Sequence, residues 1–445
     1  EKKLAAQNYG RRFGRKLKEE WQKIGTTASG RTFWKCVVCG EIFEGALPPD
    51  VCPVCGAGSE AFVEFTPEVV NFQSETPLKL VIIGSGAAAV FAAEAARKRN
   101  PKAEIEIHSQ ENVLPYYRPL LTKSLTRAIP DNEFYLHPAH FYEEQNIRFC
   151  LDSPVSAIDR QAKTITAGGN TVSYDKLIIA TGAECFIPPI KGADLPEVVA
   201  IRSAGDTARL KAMIAEAKKR IVVIGGGLLG LEAASALLDA GHEITVIEAA
   251  PSILPRQLDA EGSPVLQNII AKARMRLILD EFVDEIEGDE HVVQIKTKRG
   301  QAIPCDIVII SAGIRTNTAL AKAAGLRVDR GILVSDGMQT SDPDIFAAGD
   351  CASFGGRTEG LWEPAIEQGK TAGANAVGDA IRYHPKELAA TLHAFGSKLF
   401  SLGDLGHDPS ATYRQISSRD ELQSTYSKFY FRDGKLAGGV LLGDT

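Results

Sequence analysis

Four of the eight cysteines in the chain lie within twenty residues of one another, as two CxxC pairs. The pairs are Cys36 with Cys39 and Cys52 with Cys55, and twelve residues separate them. A glycine follows the second cysteine of each pair, so each pair predicts a tight turn that presents two sulfur atoms. Two such turns predict a tetrahedral four-sulfur site, which suits either structural zinc or a single redox-active iron. The other cysteines are scattered, which favours a reducing cytoplasm over a disulfide framework.

Two glycine-rich segments each follow a short apolar strand and open a predicted helix. The motif positions are Gly84, Gly86 and Ala89 in the first copy and Gly225, Gly227 and Gly230 in the second. The first glycine makes the tight turn, the second lets the backbone approach a pyrophosphate, and the third small residue lets the helix lie close to the strand. One copy is a weak signal, but two copies 141 residues apart predict two dinucleotide-binding units.

The end of the second strand in each unit predicts which nucleotide the unit prefers. Glu248 ends that strand in the second unit, where a carboxylate accepts ribose hydroxyls and repels a 2′-phosphate. The second unit is therefore predicted to prefer NADH over NADPH. In the first unit Ser109 takes this place, and the nearest carboxylate is displaced by two residues to Glu111.

Length and charge limit the classes of protein that fit these motifs. At 445 residues, with 44% hydrophobic residues, the chain predicts a multi-domain α/β enzyme with no membrane segment. The net charge is −6, and since residues 1–35 carry +7 the remainder is acidic, which argues against nucleic acid as a partner. No secretory signal is expected, because the N-terminal stretch is basic without an apolar segment, and since residue 1 is Glu, a start further upstream stays open.

Residues 4–24 predict a basic amphipathic helix, because apolar residues recur at helical spacing among arginines and lysines. Such a helix either packs on its own protein or docks on a partner, and the sequence leaves both open. An oligomer or complex formed through residues 1–30 is therefore one expectation.

The segment around the cysteines resembles a rubredoxin domain. The resemblance rests on the two CxxCG turns together with Trp34, Phe43 and Phe62, and the short gap between the pairs is similar to the version appended to rubrerythrins. This resemblance implies iron at Cys36, Cys39, Cys52 and Cys55. Zinc stays possible, because tetrahedral sulfur ligation suits both metals.

The order of motifs after residue 78 resembles that of the NADH:rubredoxin oxidoreductases, which are flavoprotein reductases with two dinucleotide domains. Besides the two glycine loops it rests on Thr181-Gly182, on Gly313 in a Ser-Ala-Gly segment and on Gly349-Asp350 in a Phe-Ala-Ala-Gly-Asp segment. The implied fold class is α/β, with FAD and NAD Rossmann-like domains of the pyridine nucleotide-disulfide oxidoreductase type, a small rubredoxin-like metal domain and a C-terminal α+β domain.

The resemblance also implies a division of the chain. The expected segments are a basic helix at 1–32, a rubredoxin-like domain at 33–65, a linker at 66–77, an FAD domain at 78–199 and 311–376, an NAD domain at 200–310 and an interface domain at 377–445. Relatives usually continue beyond the last strand, so the C-terminus is expected to be incomplete.

Several site residues follow from the resemblance. Asp350 is expected to bind a ribityl hydroxyl of FAD, and Trp362 to begin a helix whose N-terminus faces the flavin. Arg118 belongs to a stretch that lies along the flavin ring, with Lys123 close to flavin N5. Glu232 is expected near the nicotinamide, in an ion pair with Lys123. Because residues 109–125 contain no cysteine, thiol chemistry at the flavin is not expected.

These features predict an FAD-dependent NADH:rubredoxin-type oxidoreductase that carries its own electron acceptor. Hydride from NADH would reduce FAD, and single electrons would pass to the iron and then to an external acceptor, or to an upstream domain or subunit. The reductase surface near Trp362 and Lys123 is the expected docking face for the metal domain. Two alternatives stay open: an NADH oxidase with structural zinc, and an electron-relay subunit of a larger redox complex.

Overall fold

The structure is a computed structural model that describes residues 32–37, 40–54, 56–66, 69–386 and 389–443. The predicted basic helix, Cys39 and Cys55 lie outside the described residues.

Residues 33–65 form a small antiparallel sheet around a compact core. The strands are β1 (Phe33–Cys36), β2 (Ile42–Glu44) and β3 (Phe62–Phe65), in the order β2-β1-β3, and a 3₁₀ turn at Ser59–Ala61 precedes β3. Cys36 and Cys52 are buried in this core with Ala57 and Phe62. The two described cysteines therefore lie inside the domain, as a metal site needs.

The next part of the chain alternates strands and helices. Its strands are β4 (Lys79–Ile83), β5 (Glu104–His108), β6 (Ile147–Cys150), β7 (Val155–Asp159), β8 (Thr164–Ala167), β9 (Asn170–Ser173), β10 (Lys176–Ile179), β11 (Ala183–Cys185) and β12 (Val198–Val199). Its helices are α1 (Ala87–Arg99), α2 (Leu121–Ser124), α3 (Asp131–Phe134) and α4 (Ala139–Glu144), with a 3₁₀ turn at Arg118–Leu120.

The alternation continues to residue 376. The helices are α5 (Ala204–Ile214), α6 (Leu228–Asp239), α7 (Gly262–Lys272), α8 (Ala319–Ala323) and α9 (Trp362–Ala376). The strands are β13 (Arg220–Ile224), β14 (Glu243–Ile247), β15 (Arg276–Ile278), β16 (Val283–Glu287), β17 (Gln294–Thr297), β18 (Ala302–Pro304), β19 (Ile307–Ile310), β20 (Ile314–Thr316), β21 (Ile332–Val334), β22 (Ile345–Ala347) and β23 (Ala352–Phe354).

Two five-stranded parallel sheets carry the glycine loops. The first has the order β22-β10-β4-β5-β6 and the second β12-β19-β13-β14-β15. Their central strands are continuous apolar runs, as expected for sheets covered on both faces. Strand β12 pairs within the second sheet although it precedes the predicted boundary at residue 200. The predicted α/β fold class is confirmed.

The C-terminal segment is an antiparallel sheet of five strands. They are β24 (Ala390–Ala394), β25 (Ser397–Gly403), β26 (Arg414–Asp420), β27 (Thr425–Arg432) and β28 (Lys435–Gly443), in the order β24-β25-β28-β27-β26. Leu392 and Leu399 share a hydrophobic core with Leu231 and Leu237 of α6. This sheet therefore packs on the second parallel unit.

Close packing fixes α9 against α1. A Cβ built on Gly369 would lie 2.3 Å from the Ala88 carbonyl oxygen, and one on Gly373 would lie 2.0 Å from that of Ala92. Only glycine permits this approach, so the position of the N-terminus of α9 is set by the first glycine-loop helix. No helix in the part of the chain that the structure describes is long and apolar enough to cross a membrane.

Candidate functional site

The first glycine loop has the geometry of a pyrophosphate cradle. Gly84 has φ +114°, and a Cβ there would lie 2.2 Å from the Ala180 carbonyl oxygen. Gly86 is the N-cap of α1, no side chain caps the helix, and a Cβ on Gly86 would meet no atom within 4 Å. Ala89, in the first turn of α1, is fully buried. Open space in front of an uncapped helix N-terminus fits the phosphates of FAD.

The second loop repeats this geometry. Gly225 has φ +108°, with a built Cβ 2.3 Å from the Ser311 carbonyl oxygen, and open space again lies beside Gly227, the N-cap of α6. At Gly230 a built Cβ would lie 2.2 Å from the Gly225 carbonyl oxygen, so helix and loop are in close contact. This loop fits a second dinucleotide.

Glu248 lies directly beside the second loop. Its Oε2 accepts a hydrogen bond from Gly226 N at 2.6 Å, and its Oε1 accepts one from Ala250 N at 2.8 Å. The two backbone donors hold the carboxylate at the end of β14, the edge of the sheet where a nucleotide ribose binds in this type of fold.

Glu111 is held differently. Tyr116 OH donates to Glu111 Oε2 at 2.8 Å, and Arg118 Nη2 donates to Glu111 Oε1 at 3.0 Å. Arg118 also donates to the Arg202 carbonyl oxygen at 2.6 Å. Ser109 is fully buried, and its hydroxyl bonds to Ser85 and to the backbone of Glu111. The carboxylate of the first unit is thus engaged by a tyrosine and an arginine instead of by its glycine loop.

Asp350 has a partner that the sequence analysis missed. Arg202 Nη2 lies 2.5 Å from Asp350 Oδ2, and Arg202 Nε donates to the Ala183 carbonyl oxygen at 3.0 Å. Arg202 directly precedes the capping box of α5, and no local motif in the sequence identifies it.

The remaining predicted FAD positions are Thr181, Gly182, Gly313 and Gly349. Gly182 and Gly313 both have positive φ, and a Cβ on either would meet no atom within 4 Å. The adjacent Thr181 is tied to Asn317 by two hydrogen bonds, in which each residue donates to the other's carbonyl oxygen. Gly349 N donates to Gln368 Oε1 of α9 at 2.9 Å. The Thr181–Asn317 hydrogen bonds connect the two chain segments of the predicted FAD domain. They lie next to Gly182, where a Cβ would meet no atom.

Trp362 begins α9 as predicted. Its indole Nε1 is buried and has no hydrogen-bond partner among the described residues. A buried N–H donor without an acceptor is costly, so this atom fits a bound polar group. The N-terminus of α9 also favours negative charge there.

Lys123 and Glu232 are electrostatic neighbours, because the Lys123 charge acts on the Glu232 carboxylate, and the ion pair between them stays a prediction. Thr122 Oγ1 donates to Glu232 Oε2 at 3.2 Å, and Lys123 Nζ lies 3.5 Å from the Val54 carbonyl oxygen. Burial raises the pKa of Glu232 to about 7, although the Lys123 charge and the Thr122 hydroxyl both lower it. Glu232 therefore changes charge near neutral pH.

The metal domain lies on this same face of the reductase. A Cβ on Gly40 would lie 3.3 Å from Ile366 Cδ1, and a Cβ on Gly56 would lie 3.3 Å from Lys123 Nζ. Gly40 and Gly56 follow the second cysteine of each CxxC pair in the sequence, and both glycines face the reductase. The domain occupies the face that the sequence analysis expected.

Aromatic residues join the two surfaces. Tyr117 and Trp362 pack against the core that contains Cys36 and Cys52, with ring centroids 6.0 Å apart. Tyr117 OH donates to Glu41 Oε2 at 2.8 Å. Burial raises the pKa of Glu41, which the Tyr117 hydrogen bond partly offsets. Tyr117 and Glu41 are contact residues that sequence motifs did not identify.

The scattered cysteines have the properties of unreactive thiols. Burial is the main cause that raises the pKa values of Cys150, Cys185 and Cys351, and it raises that of Cys305 to about 12. They therefore stay protonated at neutral pH, which disfavours thiolate chemistry.

Cys150 also belongs to a small buried cluster. Its sulfur, Glu106 and His108 place potential metal ligands within 4.8 Å of one another. Lys79 Nζ lies 3.3 Å from Glu106 Oε2, and Arg148 Nη1 lies 3.7 Å from Glu106 Oε1. Lys79 and Arg148 therefore balance the negative charge of the Glu106 carboxylate, and we interpret the cluster as an ion-pair network and not as a metal site.

Comparison with protein families accounts for most of the chain. Residues 78–371 match the family described as pyridine nucleotide-disulphide oxidoreductase, residues 389–445 match the rubredoxin NAD+ reductase C-terminal domain, and residues 34–63 match the rubrerythrin, rubredoxin-like domain. The resemblances drawn from the motifs are confirmed, and with them FAD and NADH as the cofactors, while the rubredoxin-like domain implies iron.

Two curated relatives show how the matches are distributed. The nitrite reductase [NAD(P)H] of Bacillus subtilis is 38% identical over 82% of this chain and 46% of its own length. The rubredoxin-NAD(+) reductase of Pseudomonas putida is 36% identical over 62% of this chain and 72% of its own length. The chain thus spans about half the length of the Bacillus relative.

A solved structure shows a similar fold. The NADH:rubredoxin oxidoreductase of Clostridium acetobutylicum aligns with a TM-score of 0.68 and 28% identity, covering 83% of this chain and 92% of that one.

Proposed function

Because the chain belongs to the pyridine nucleotide-disulphide oxidoreductase family, we propose that it moves electrons from NADH through FAD to its own four-cysteine iron site. From there the electrons pass to an external redox protein, or to a further domain or subunit. One observation carries this proposal: the two glycines that follow the CxxC pairs face the reductase where α9 begins and where Lys123 lies. A purely structural metal would not need that orientation.

The reaction balances as NADH plus two ferric sites giving NAD⁺, one proton and two ferrous sites. FAD, when bound, accepts hydride and releases electrons singly, which matches a two-electron donor to a one-electron metal. The first glycine loop would hold its pyrophosphate, with Gly84, Gly86 and Ala89 in the roles of the motif. Thr181, Gly182, Gly313, Gly349 and Asp350 would line the rest of that site.

Charged groups of the chain would support the hydride step. The N-terminus of α9 favours the negative charge that reduction places on the flavin pyrimidine. Lys123 contributes a positive charge, and Glu232 in its anionic form favours the positive charge that the nicotinamide gains. Gly225, Gly227, Gly230 and Glu248 would hold NADH.

The metal is proposed to be iron at Cys36, Cys39, Cys52 and Cys55. The experiment is a visible spectrum of anaerobically prepared protein, recorded oxidised and then during titration with NADH. A ferric thiolate band should bleach together with the flavin. Metal analysis that finds only zinc, with no bleachable band beyond the flavin, contradicts the proposal and favours the NADH oxidase alternative.

The linker at 66–77 supports electron transfer within one chain. Twelve residues reach at most about 40 Å, and tethering at such lengths gives an effective concentration in the millimolar range. The first-order rate of iron bleaching should therefore stay constant over a hundredfold range of protein concentration. A rate that rises in proportion to concentration would mean that electrons cross between chains.

The wider setting belongs to the same proposal. The scattered, protonated thiols fit the reducing cytoplasm, and the acidic body of the chain fits a protein acceptor better than nucleic acid. The match to a much longer nitrite reductase supports the relay alternative, in which a further domain or subunit accepts the electrons. A stable complex after gentle purification would favour it, with residues 1–30 as the candidate anchor.

A further inference from the structure

A buried lysine links the metal domain to the reductase. Lys35 immediately precedes Cys36, and its Nζ lies 2.8 Å from Glu363 Oε1 and 3.4 Å from Glu367 Oε1 of α9. The exposed fractions of the Lys35 and Glu363 side chains are 9% and 8%. The partners are separated by 328 residues in sequence, so the contact depends on docking.

The charges around this contact are close to balanced. Lys370 Nζ lies 3.0 Å from Glu367 Oε1, and the exposed Lys386 lies 3.9 Å from both glutamates. Two carboxylates, those of Glu363 and Glu367, therefore face the Lys35 ammonium inside the interface.

Burial makes this contact selective. Removing one partner of a buried ion pair leaves the other charge desolvated and unpaired, which costs far more than losing an exposed pair. A metal domain with a neutral or acidic residue at this place would leave the buried Glu363 with only the exposed and more distant Lys386 as a cation. Such a domain would dock poorly, however well its cysteines matched.

The contact also sets orientation. Lys35 is adjacent to Cys36, and Gly40 of the same turn packs against Ile366, one helical turn after Trp362. An ion pair at this point therefore holds Cys36 and Gly40 of the metal domain against α9. Because electron transfer slows as the distance between redox groups grows, a shifted orientation would lower the rate.

We propose that Glu363 and Glu367 form a recognition site for a lysine directly preceding the first metal-ligating cysteine. The pair selects which rubredoxin-type domain the reductase reduces, and it sets the orientation in which that domain docks. This inference rests on the proposed function, because it concerns the electron acceptor of the same reductase.

The test is a charge series at Lys35 in the full-length, metal- and FAD-loaded protein. Lys35→Arg keeps the charge, Lys35→Met removes it, and Lys35→Glu reverses it. We expect iron bleaching after NADH mixing to stay near the wild-type rate for arginine, and to fall by at least about tenfold for methionine and further for glutamate. On the reductase, Glu367→Gln removes one of the two carboxylates, and it should also lower the rate of iron bleaching.

Two controls separate recognition from general damage. Lys386→Met removes an equal but exposed charge from the same cluster and should change the rate by less than about twofold. Reduction of ferricyanide by NADH reports on the flavin half, and it should be unchanged in the Lys35 variants. Dithionite should reduce the same amount of iron in every variant, which shows that the metal domain is folded.

A second readout does not depend on turnover. Hydrogen exchange of oxidised, NADH-free protein should show residues 362–370 protected in wild type and in Lys35→Arg, and less protected in Lys35→Glu.

The outcomes distinguish the two claims. Suppose that NADH bleaches the wild-type iron, that all Lys35 variants bleach at rates within twofold of wild type, and that their hydrogen exchange at residues 362–370 is the same. The recognition site is then refuted and the proposed function stands. If wild-type iron does not bleach with NADH, the proposed function itself fails.

Discussion

The two parallel units have nearly the same loop geometry but differ in the side chains around it. At Gly84 and Gly225 the φ angles are +114° and +108°, and built Cβ atoms would lie 2.2 and 2.3 Å from carbonyl oxygens of the neighbouring strand connection. After the second strand, however, Glu248 bonds to its own glycine loop, whereas Glu111 bonds to Tyr116 and Arg118.

A second difference lies two residues beyond each motif. The second unit has Glu232 there, buried and with its pKa raised to about 7 by that burial. The first unit has Phe91 at this place, and Lys370 Nζ lies 5.5 Å from the centroid of the Phe91 ring. The backbone motif forms the same loop in both units, so we expect the side chains around each loop to decide which nucleotide binds there and which charge lies beside the reacting ring.

The largest effects should come from the two turn glycines. Gly84→Ala places a methyl group against the Ala180 carbonyl, so we expect protein purified without FAD. Gly225→Ala should retain FAD but slow flavin reduction by NADH by at least about a hundredfold, because only the second loop is distorted.

Flavin absorbance and stopped-flow reduction measure both outcomes. Gly169→Ala is a matched control, since Gly169 also has positive φ, at +81°, but open space around it. Equal loss of FAD from both loop variants would contradict the assignment of one nucleotide to each unit.

The next effect concerns nucleotide choice. Glu248 should exclude the 2′-phosphate, so kcat/KM should favour NADH over NADPH by at least about tenfold, or roughly 1.4 kcal/mol. Glu248→Ala should bring the two values close together. A wild-type enzyme that uses both nucleotides equally would refute this role.

A smaller effect concerns pH. Because burial raises the pKa of Glu232 to about 7, the residue is mostly neutral below that pH and anionic above it. The anion favours the positive nicotinamide of the product, so flavin reduction should speed up several-fold as pH rises through about 7. Glu232→Gln should remove this inflection, and an unchanged profile would exclude Glu232 as its source.

The smallest effect is expected at Glu111. Its carboxylate is held by Tyr116 and Arg118, not by the glycine loop, so Glu111→Gln should weaken FAD binding by less than about threefold. Fluorescence titration of the apoprotein with FAD measures this. If Glu111→Gln weakens FAD binding as much as Glu248→Ala weakens NADH binding, the two carboxylates have the same role in nucleotide binding.

Local spacing in the sequence was enough to predict the sites that are formed by a few consecutive residues. The two CxxC pairs and both glycine loops follow from such patterns, because a tight turn depends on neighbours along the chain. The start of α9 at Trp362 followed from the family resemblance. Together with the recognised motif order, they were sufficient for the fold class and the family.

Tertiary structure decided the partners of the charged residues. The hydrogen bond from Thr122 to Glu232 and the contact of Lys123 with the Val54 carbonyl oxygen were not predicted from the sequence, and the Lys123–Glu232 ion pair stays a prediction. The pairing of Arg202 with Asp350 and of Lys35 with Glu363 joins residues 148 and 328 positions apart. The packing of the domains determines which charged side chains are buried next to each other. Local periodicity in the sequence does not predict such long-range pairs.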